Sequence, residues 1–212
     1  TTAFGSNSAT TVTGTLDLAG FNVSIGSLAG AGTVTNSVAT SNTLTAGNDN
    51  TSTTFSGVIQ DGTGTTGLTK SGSGTLTLSG ANTYSGTTTV SAGTLQIGSG
   101  STTGTLGSGS VTNNSALVFN RSNAMTVSNV ISGTGSVTQS GSGTTTLSGA
   151  NTYTGGTNIN AGTLALGSSG AIGSSGAISF GGGTLQHSAS NTTDYSNRFS
   201  SAGSQLRNID TN

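Results

Sequence analysis

The sequence predicts an all-β chain that folds as a parallel β-solenoid with essentially no helix. Three observations lead to this prediction. Charged residues are scarce, apolar and polar residues alternate at a period of two, and one long segment occurs twice. Short strands bounded by glycine, together with internal repetition, are typical of stacked coils.

The composition argues against helices. Charged residues make up only 4% of the 212 residues, whereas about 25% is usual in globular proteins. The chain has 37 Gly, no Pro and no Cys, and its net charge is −1. Surface helices take their polar faces from Glu, Lys, Arg and Gln, which are few here. Disorder is the alternative, but disordered segments usually carry a high net charge, and nothing maintains a regular alternation in them.

The alternation has the period of a β-strand. In the segment GTLTLSG, Leu76 and Leu78 point to one side of the chain, while Thr75 and Thr77 point to the other. The same pattern recurs at Leu95 and Ile97, at Leu117 and Phe119, and at Leu164 and Leu166. Clusters of Gly, Ser and Asn interrupt the pattern and predict bends.

The repeat defines the predicted organisation. Residues 68–99 align without gaps to residues 137–168, with 22 of 32 positions identical at one constant offset. With about 20–24 residues in a coil, this offset is three coils long and the chain has about nine or ten. We predict a single β-helical segment over 1–212. Its repeat units span 55–100 and 127–170, and its linking coils span 1–54, 101–126 and 171–212.

An antiparallel sandwich or barrel is the competing architecture. It requires many hairpins, but Asp61-Gly62 is the one clear hairpin signal of the Asn-Gly or Asp-Gly type. The solenoid is therefore favoured. Its ends would expose unpaired strand edges, with no Pro and little charge to protect them. We expect the chain to continue on both sides, or rods to stack end to end.

The repeated segment resembles a known family. The phrase GLTKSGSGTLTLSGANTYSGTTTVSAGTLQIGSG (67–100) resembles the passenger-associated transport repeat, also called the autotransporter-associated β-strand repeat, and residues 136–170 resemble it nearly as well. The resemblance implies an exported right-handed parallel β-helix. Such chains are often stalks or passengers that an outer-membrane β-barrel secretes. The second copy departs from the pattern at Gln139, where the first has Lys70.

The resemblance and the internal repetition together mark the residues expected to form the structural repeat. In the first copy these are Leu68, Gly72, Gly74, Leu76, Leu78, Gly80, Asn82, Tyr84, Gly93 and Leu95. In the second copy they are Gly141, Gly143, Leu147, Gly149, Asn151, Tyr153, Gly162 and Leu164. Two interpretations of the Asn and Tyr residues stay open: turn-forming and stacking residues, or an exposed row that binds glycan.

The sequence offers little chemistry. A catalytic triad would need His187, Asp194 and a serine, but no nucleophile elbow is present. Five scattered Asp and no Glu make a clustered metal or sugar-cleaving site improbable. We therefore expect no enzyme activity, no catalytic residue, no metal and no cofactor.

We expect a structural segment of a bacterial surface or secreted fibre, acting as stalk, spacer or filament body. The alternative is an adhesin module whose outer Thr and Tyr face binds glycan or another cell-surface ligand. The expected partner is the protein itself, by stacking or by continuation of the chain. A translocator outside this segment is the other expectation. A nearly neutral chain without basic clusters predicts no nucleic-acid partner.

Overall fold

The chain winds into a three-sided parallel β-solenoid of about ten coils. The computed structural model describes residues 5–202 and 205–211, so the linking coils 1–54 and 171–212 lie partly outside it. Each coil runs along side 1, then side 2, then side 3, and returns to side 1 one layer further along the axis. The fold predicted from the sequence is confirmed. The right hand of the coil, which the resemblance implies, stays a prediction.

Side 1 carries one continuous sheet, called sheet A. Its nine strands are β1 (Ala9–Val12), β4 (Ser27–Gly30), β7 (Thr53–Phe55), β10 (Thr75–Leu78), β12 (Thr94–Ile97), β14 (Ala116–Phe119), β17 (Ser136–Gln139), β19 (Thr157–Ile159) and β21 (Ile178–Phe180). A bridge between Ile178 and Phe199 adds a tenth layer.

Sides 2 and 3 carry shorter sheets. Side 2 begins with sheet B, whose strands are β2 (Thr15–Asp17), β5 (Thr33–Thr35) and β8 (Val58–Ile59). It ends with sheet D, formed by β15 (Met125–Val127), β18 (Thr144–Leu147), β20 (Thr163–Leu166), β22 (Thr184–Gln186) and β23 (Asn208–Asp210). Side 3 carries sheet C, formed by β3 (Val23–Ile25), β6 (Ser41–Ala46), β9 (Thr65–Lys70), β11 (Thr88–Val90), β13 (Val111–Asn113) and β16 (Ile131–Ser132).

Helix is almost absent from the described residues. A single 3₁₀ turn at Ser196–Arg198 is the only helical element there. None of the described helical segments has the length and apolarity needed to cross a membrane.

Apolar side chains fill the inside of every coil. The alternation predicted from the sequence is present: Leu76 and Leu78 are at most 2% exposed. Parallel pairing stacks them in register on their counterparts, so that Leu78 lies between Phe55 and Ile97. One continuous apolar cluster extends from Val12 to Tyr195. Stacking of this kind removes apolar surface from water coil after coil, and no coil can do so alone.

The repeat and the coil do not have the same period. We predicted that the offset between the two copies is three coils, and this is wrong. Three coils of sheet A lead from Thr75 through Thr94 and Ala116 to Ser136, and so they end before the second copy reaches its matching strand. Thr144, which corresponds to Thr75 in the second copy, lies one side further along the chain, in sheet D. The offset is therefore three coils and one side.

The two copies consequently face different directions. The segment TLTL of the first copy lies on side 1, and the matching TTTL of the second lies on side 2. The segment ANTY follows on side 2 in the first copy and on side 3 in the second. The prediction failed because these coils are shorter, on average, than one third of the offset between the copies.

Candidate functional site

Asn82 of the segment ANTY closes the free edge of sheet B. Sheet B ends at β8, and the next coil crosses side 2 without a strand. Asn82 is 5% exposed, and its Oδ1 accepts a hydrogen bond from the main-chain N–H of Ile59 in β8 (2.8 Å). Its Nδ2 donates to the carbonyl oxygen of Thr105 in the following coil (2.8 Å). One amide side chain thus joins three successive layers where the strand ladder stops.

Asn151 does the same on another side of the solenoid. Sheet C ends at β16, and Asn151 Oδ1 accepts a hydrogen bond from the main-chain N–H of Ile131 (2.8 Å). Asn151 Nδ2 donates to the carbonyl oxygen of Ala171 (2.6 Å). An amide is suited to this position because it carries an acceptor and two donors on one short side chain. Each copy of the repeat therefore supplies the asparagine that ends one sheet of the solenoid.

The tyrosines of both copies are core residues. Tyr84 and Tyr153 are fully buried. The Tyr84 hydroxyl lies 2.7 Å from Thr88 Oγ1, and the Tyr153 hydroxyl lies 2.8 Å from Thr157 Oγ1. The outer tyrosine face of the adhesin alternative is therefore wrong. The two rings also lie on different sides of the solenoid, so they form no common stack.

Two glycines that the sequence analysis did not single out complete the tyrosine sites. A Cβ on Gly107 would lie 2.5 Å from Tyr84 Cδ2, and one on Gly173 would clash with the carbonyl oxygen of Tyr153. Each glycine belongs to the coil that follows its tyrosine. The sequence feature that could have identified these glycines is an aliphatic residue followed by Gly. It occurs as Leu106-Gly107 and as Ile172-Gly173, at similar distances after the two ANTY segments.

The other marked residues lie in the strands and corners of the repeat. Leu68, Leu76, Leu78, Leu95, Leu147 and Leu164 point into the core. Gly93 and Gly162 have φ of +63° and +54°, which favours glycine at the turns before β12 and β20. The remaining marked glycines lie against the main chain of the preceding coil: Gly72, Gly74, Gly80, Gly141, Gly143 and Gly149.

Lys70 is buried, and its ammonium group is bound by main-chain carbonyl oxygens. Its Nζ donates to the carbonyl oxygens of Ser71 (2.5 Å), Gly72 (2.8 Å) and Ala92 (3.3 Å). Burial disfavours the charged ammonium and lowers the pKa of Lys70. Gln139 occupies the equivalent position of the second copy and donates to Gly141 and Gly143. This position therefore requires a side chain that donates hydrogen bonds to the main-chain carbonyl oxygens of the turn. A charge is not required, because the neutral Gln139 makes the same kind of bond.

Arginines fasten the coils that lack strands. Arg121 donates to the carbonyl oxygens of Gly104 (3.0 Å) and Thr102 (2.7 Å) in the preceding coil. Arg198 donates to Ser175 (2.6 Å) and Gly176 (3.0 Å) in the same manner. These bonds are charge-assisted and supply connections between layers where no ladder exists.

The carboxylates likewise hold main-chain groups. Asp61 Oδ1 accepts from the N–H of Thr66 (2.8 Å), and Asp61 Oδ2 accepts from that of Ser85 (3.1 Å). Partial burial opposes the charged form of Asp61, but the hydrogen bonds from Ser85 and Thr66 outweigh it and lower the pKa. The ionised side chain thus ties the loop after β8 to the next coil.

The residues of the hypothetical triad have structural contacts. His187 Nδ1 lies 3.2 Å from the carbonyl oxygen of Asn191. Asp194 accepts a hydrogen bond from the main-chain N–H of Ser196 (2.8 Å), which is the main cause of its lowered pKa. Within residues 5–202 and 205–211, no three His, Cys, Asp or Glu side chains gather as a metal site.

We predict that Asn82→Asp destabilises the chain by roughly 1–3 kcal/mol. The substitution removes the amide donor to Thr105 and places a charge beside its carbonyl oxygen. Urea unfolding followed by circular dichroism measures the change, with Asn7→Asp as the exposed control. Equal losses in the two variants would contradict the assigned role of Asn82.

Lys70 should make stability rise with pH relative to a Lys70→Gln variant. Since its pKa is lowered in the folded state, the unfolded chain binds more protons between that pKa and the ordinary value of 10.5. The burial penalty is complete at lower pH and disappears as pH rises through this window. Urea midpoints of both proteins at neutral pH and near pH 10 test this; a constant difference between them would contradict it.

Alkaline unfolding should begin near the ordinary pKa of tyrosine. Burial raises the pKa of Tyr84, and it raises that of Tyr153 to about 12. Stability from the protonated phenols is complete below the unfolded value of 10.0 and is lost as pH rises through the folded values. Tyrosinate absorbance of both residues should rise together with loss of the circular dichroism signal, and the double variant Tyr84→Phe/Tyr153→Phe should unfold at higher pH. Ionisation of these tyrosines near pH 10 in a still folded chain would refute their burial.

Comparison with known proteins identifies one family. The chain matches the passenger-associated transport repeat family at residues 68–97 and again at residues 137–166. Neither a curated protein nor a solved structure matches the chain. The two matched segments are the ones that close sheets B and C with Asn82 and Asn151. The chain is a parallel β-solenoid that carries two passenger-associated transport repeats.

Proposed function

We propose that this chain is a structural segment of an exported surface or secreted fibre, serving as stalk, spacer or filament body, and that it has no enzyme activity. The observation that carries this proposal is sheet A, which continues without interruption through nine strands. At about 4.8 Å between strands, the segment holds its two ends roughly 45 Å apart. A rod of this kind transmits position and load along its axis.

The contacts of the cationic side chains support an extracellular spacer. Lys70, Arg121 and Arg198 all donate to main-chain carbonyls. Hydrogen bonds between near neighbours in partly buried corners are screened by salt much less than exposed ion pairs are. The rod should therefore keep its shape when the ionic strength of its surroundings changes.

Export and self-contact belong to the same proposal. The repeat is characteristic of autotransporter passengers, so the translocator would lie outside this segment. Ile209 continues the inward column of Leu164 and Leu185, yet it is 42% exposed. A further coil, from the same protein or from a stacked copy, would cover Ile209 and pair with β23.

The tyrosine part of the glycan-binding alternative has lost its support, since both tyrosines of the repeat are buried. Its threonine part has support on side 3, where the outward column of sheet C is formed by Ser24, Thr45, Thr69, Thr89, Thr112 and Ser132. The outward column of sheet A is not a row of threonines. That column includes Thr77, Gln96, Val118, Thr138 and Asn158 in successive layers. No repeated surface motif is presented along this side of the rod.

A display experiment tests the proposal. The segment is placed between an outer-membrane anchor and an epitope on bacterial cells, and the height of the epitope is measured with and without residues 9–199. We expect the segment to raise the epitope by roughly 45 Å and to leave cell adhesion and glycan-array binding unchanged. An unchanged height, or adhesion that the segment alone confers, would contradict the proposal.

A further inference from the structure

Sheet D begins at a strand edge that the preceding coil does not cover. Sheets B and C end at edges that Asn82 and Asn151 close, but β15 is the first strand of sheet D and pairs only with β18. The preceding coil crosses this side as the loop 98–110, which contains no strand. The uncovered edge therefore lies in the middle of the solenoid.

The main chain of β15 shows which groups face the loop. The carbonyl oxygen of Val127 accepts a hydrogen bond from the main-chain N–H of Ser148 (3.0 Å). The main-chain polar groups of Val127 therefore point towards β18. Main-chain groups alternate in direction along a strand in a sheet. Those of Thr126 and Ser128 therefore point towards the loop 98–110, and both residues are exposed.

The loop presents matching groups from the opposite wall. Thr105 N–H donates to Gly80 O (3.1 Å), and Thr105 O accepts from Asn82, so both groups of Thr105 face the preceding coil. The N–H and C=O of the next residue, Leu106, make no hydrogen bond with any residue in 5–202 or 205–211.

A groove of about 470 Å³ is lined by β15, by the loop 98–110 and by Asn82 and Thr83 of the coil before the loop. Leu106 and the half-buried Met125 supply its apolar surface. Its two ends are tied by side chains, since Arg121 reaches Thr102 and Asn129 Nδ2 donates to Gly107 O (2.8 Å). The separation of the walls is therefore fixed by the fold.

The second repeat provides a matched groove that lacks the strand edge. It measures about 330 Å³ and includes Asn151, Ile172 and Arg198, which correspond in type to Asn82, Leu106 and Arg121. The coil that closes it, 187–198, contains a 3₁₀ turn and no strand. Comparison of the two grooves separates the effect of the strand edge from that of the lining.

We propose that the groove beside β15 binds a short extended polypeptide segment by strand addition. An extended main chain carries donors and acceptors on both edges, and it can therefore pair with the unpaired main-chain groups of Thr126 in β15 and of Ser128 just after it. Its uncharged side chains alternate, so one apolar side chain reaches Leu106 and Met125 while its neighbours point to solvent. The lining contains no aromatic ring of the kind that stacks on sugars.

The probe is the capped peptide Gly-Thr-Thr-Thr-Leu-Ser, which copies residues 143–148 and so includes the sequence of β18, the strand that already pairs with β15. In amide spectra of labelled protein, the shifts should centre on Thr126, Ser128 and Leu106. Hydrogen exchange of the Thr126 and Ser128 amides should be fast in the free protein and slow with peptide. Shifts at the second groove or at the end strands instead, or a Thr126 amide as protected as that of Val127 without peptide, would overturn the proposal.

The variant Thr126→Pro removes the groove-facing N–H from an edge that has no partner for it, so the fold should tolerate it. Thr126→Val keeps this N–H and serves as the matched control. Peptide affinity should fall about tenfold or more in the proline variant and stay within about twofold in the valine variant. Equal affinity in both, with circular dichroism showing both folded, would also overturn the proposal.

Discussion

Each strand of this solenoid can hydrogen-bond its main chain only through the coils before and after it. An N–H or C=O that loses its partner in the interior costs roughly 1–3 kcal/mol, so every place where a strand ends needs a substitute. Asn82 and Asn151 provide one at the ends of sheets B and C. The rest of the architecture depends on these side-chain hydrogen bonds. They allow a coil to cross one side without a strand while its neighbours remain stacked.

This constraint explains what the repeat does. Each copy combines four strands, an asparagine that closes a sheet and a tyrosine that fills the side left without a strand. The same local arrangement forms on side 2 in one copy and on side 3 in the other. The repeat is therefore a unit of corner structure, and its sequence does not specify a side of the rod. A surface formed by the same residues of both copies therefore cannot form along one side of the rod.

The sequence contains enough information for the fold class and for the core. Alternation at Leu76 and Leu78 marks the inward face because strand geometry has a period of two, and Leu95 and Leu164 follow the same rule. The sides could not be predicted, because they depend on the exact length of every coil. Burial of Tyr84 could not be predicted either, because the ring packs against Gly107, and the sequence does not show that this residue of the next coil lies beside it.

The rotation of the two repeat copies by one side is the central claim, and spin labels test it most directly. The chain has no cysteine, so pairs of labelled cysteines can be introduced at Thr75 with Ser136 and at Thr75 with Thr144. Continuous-wave electron paramagnetic resonance should show dipolar broadening for the first pair, whose Cα atoms lie about 14 Å apart on one side. The second pair, on different sides, should show little. Broadening of the second pair without broadening of the first would mean that the repeats are aligned, and it would contradict this account.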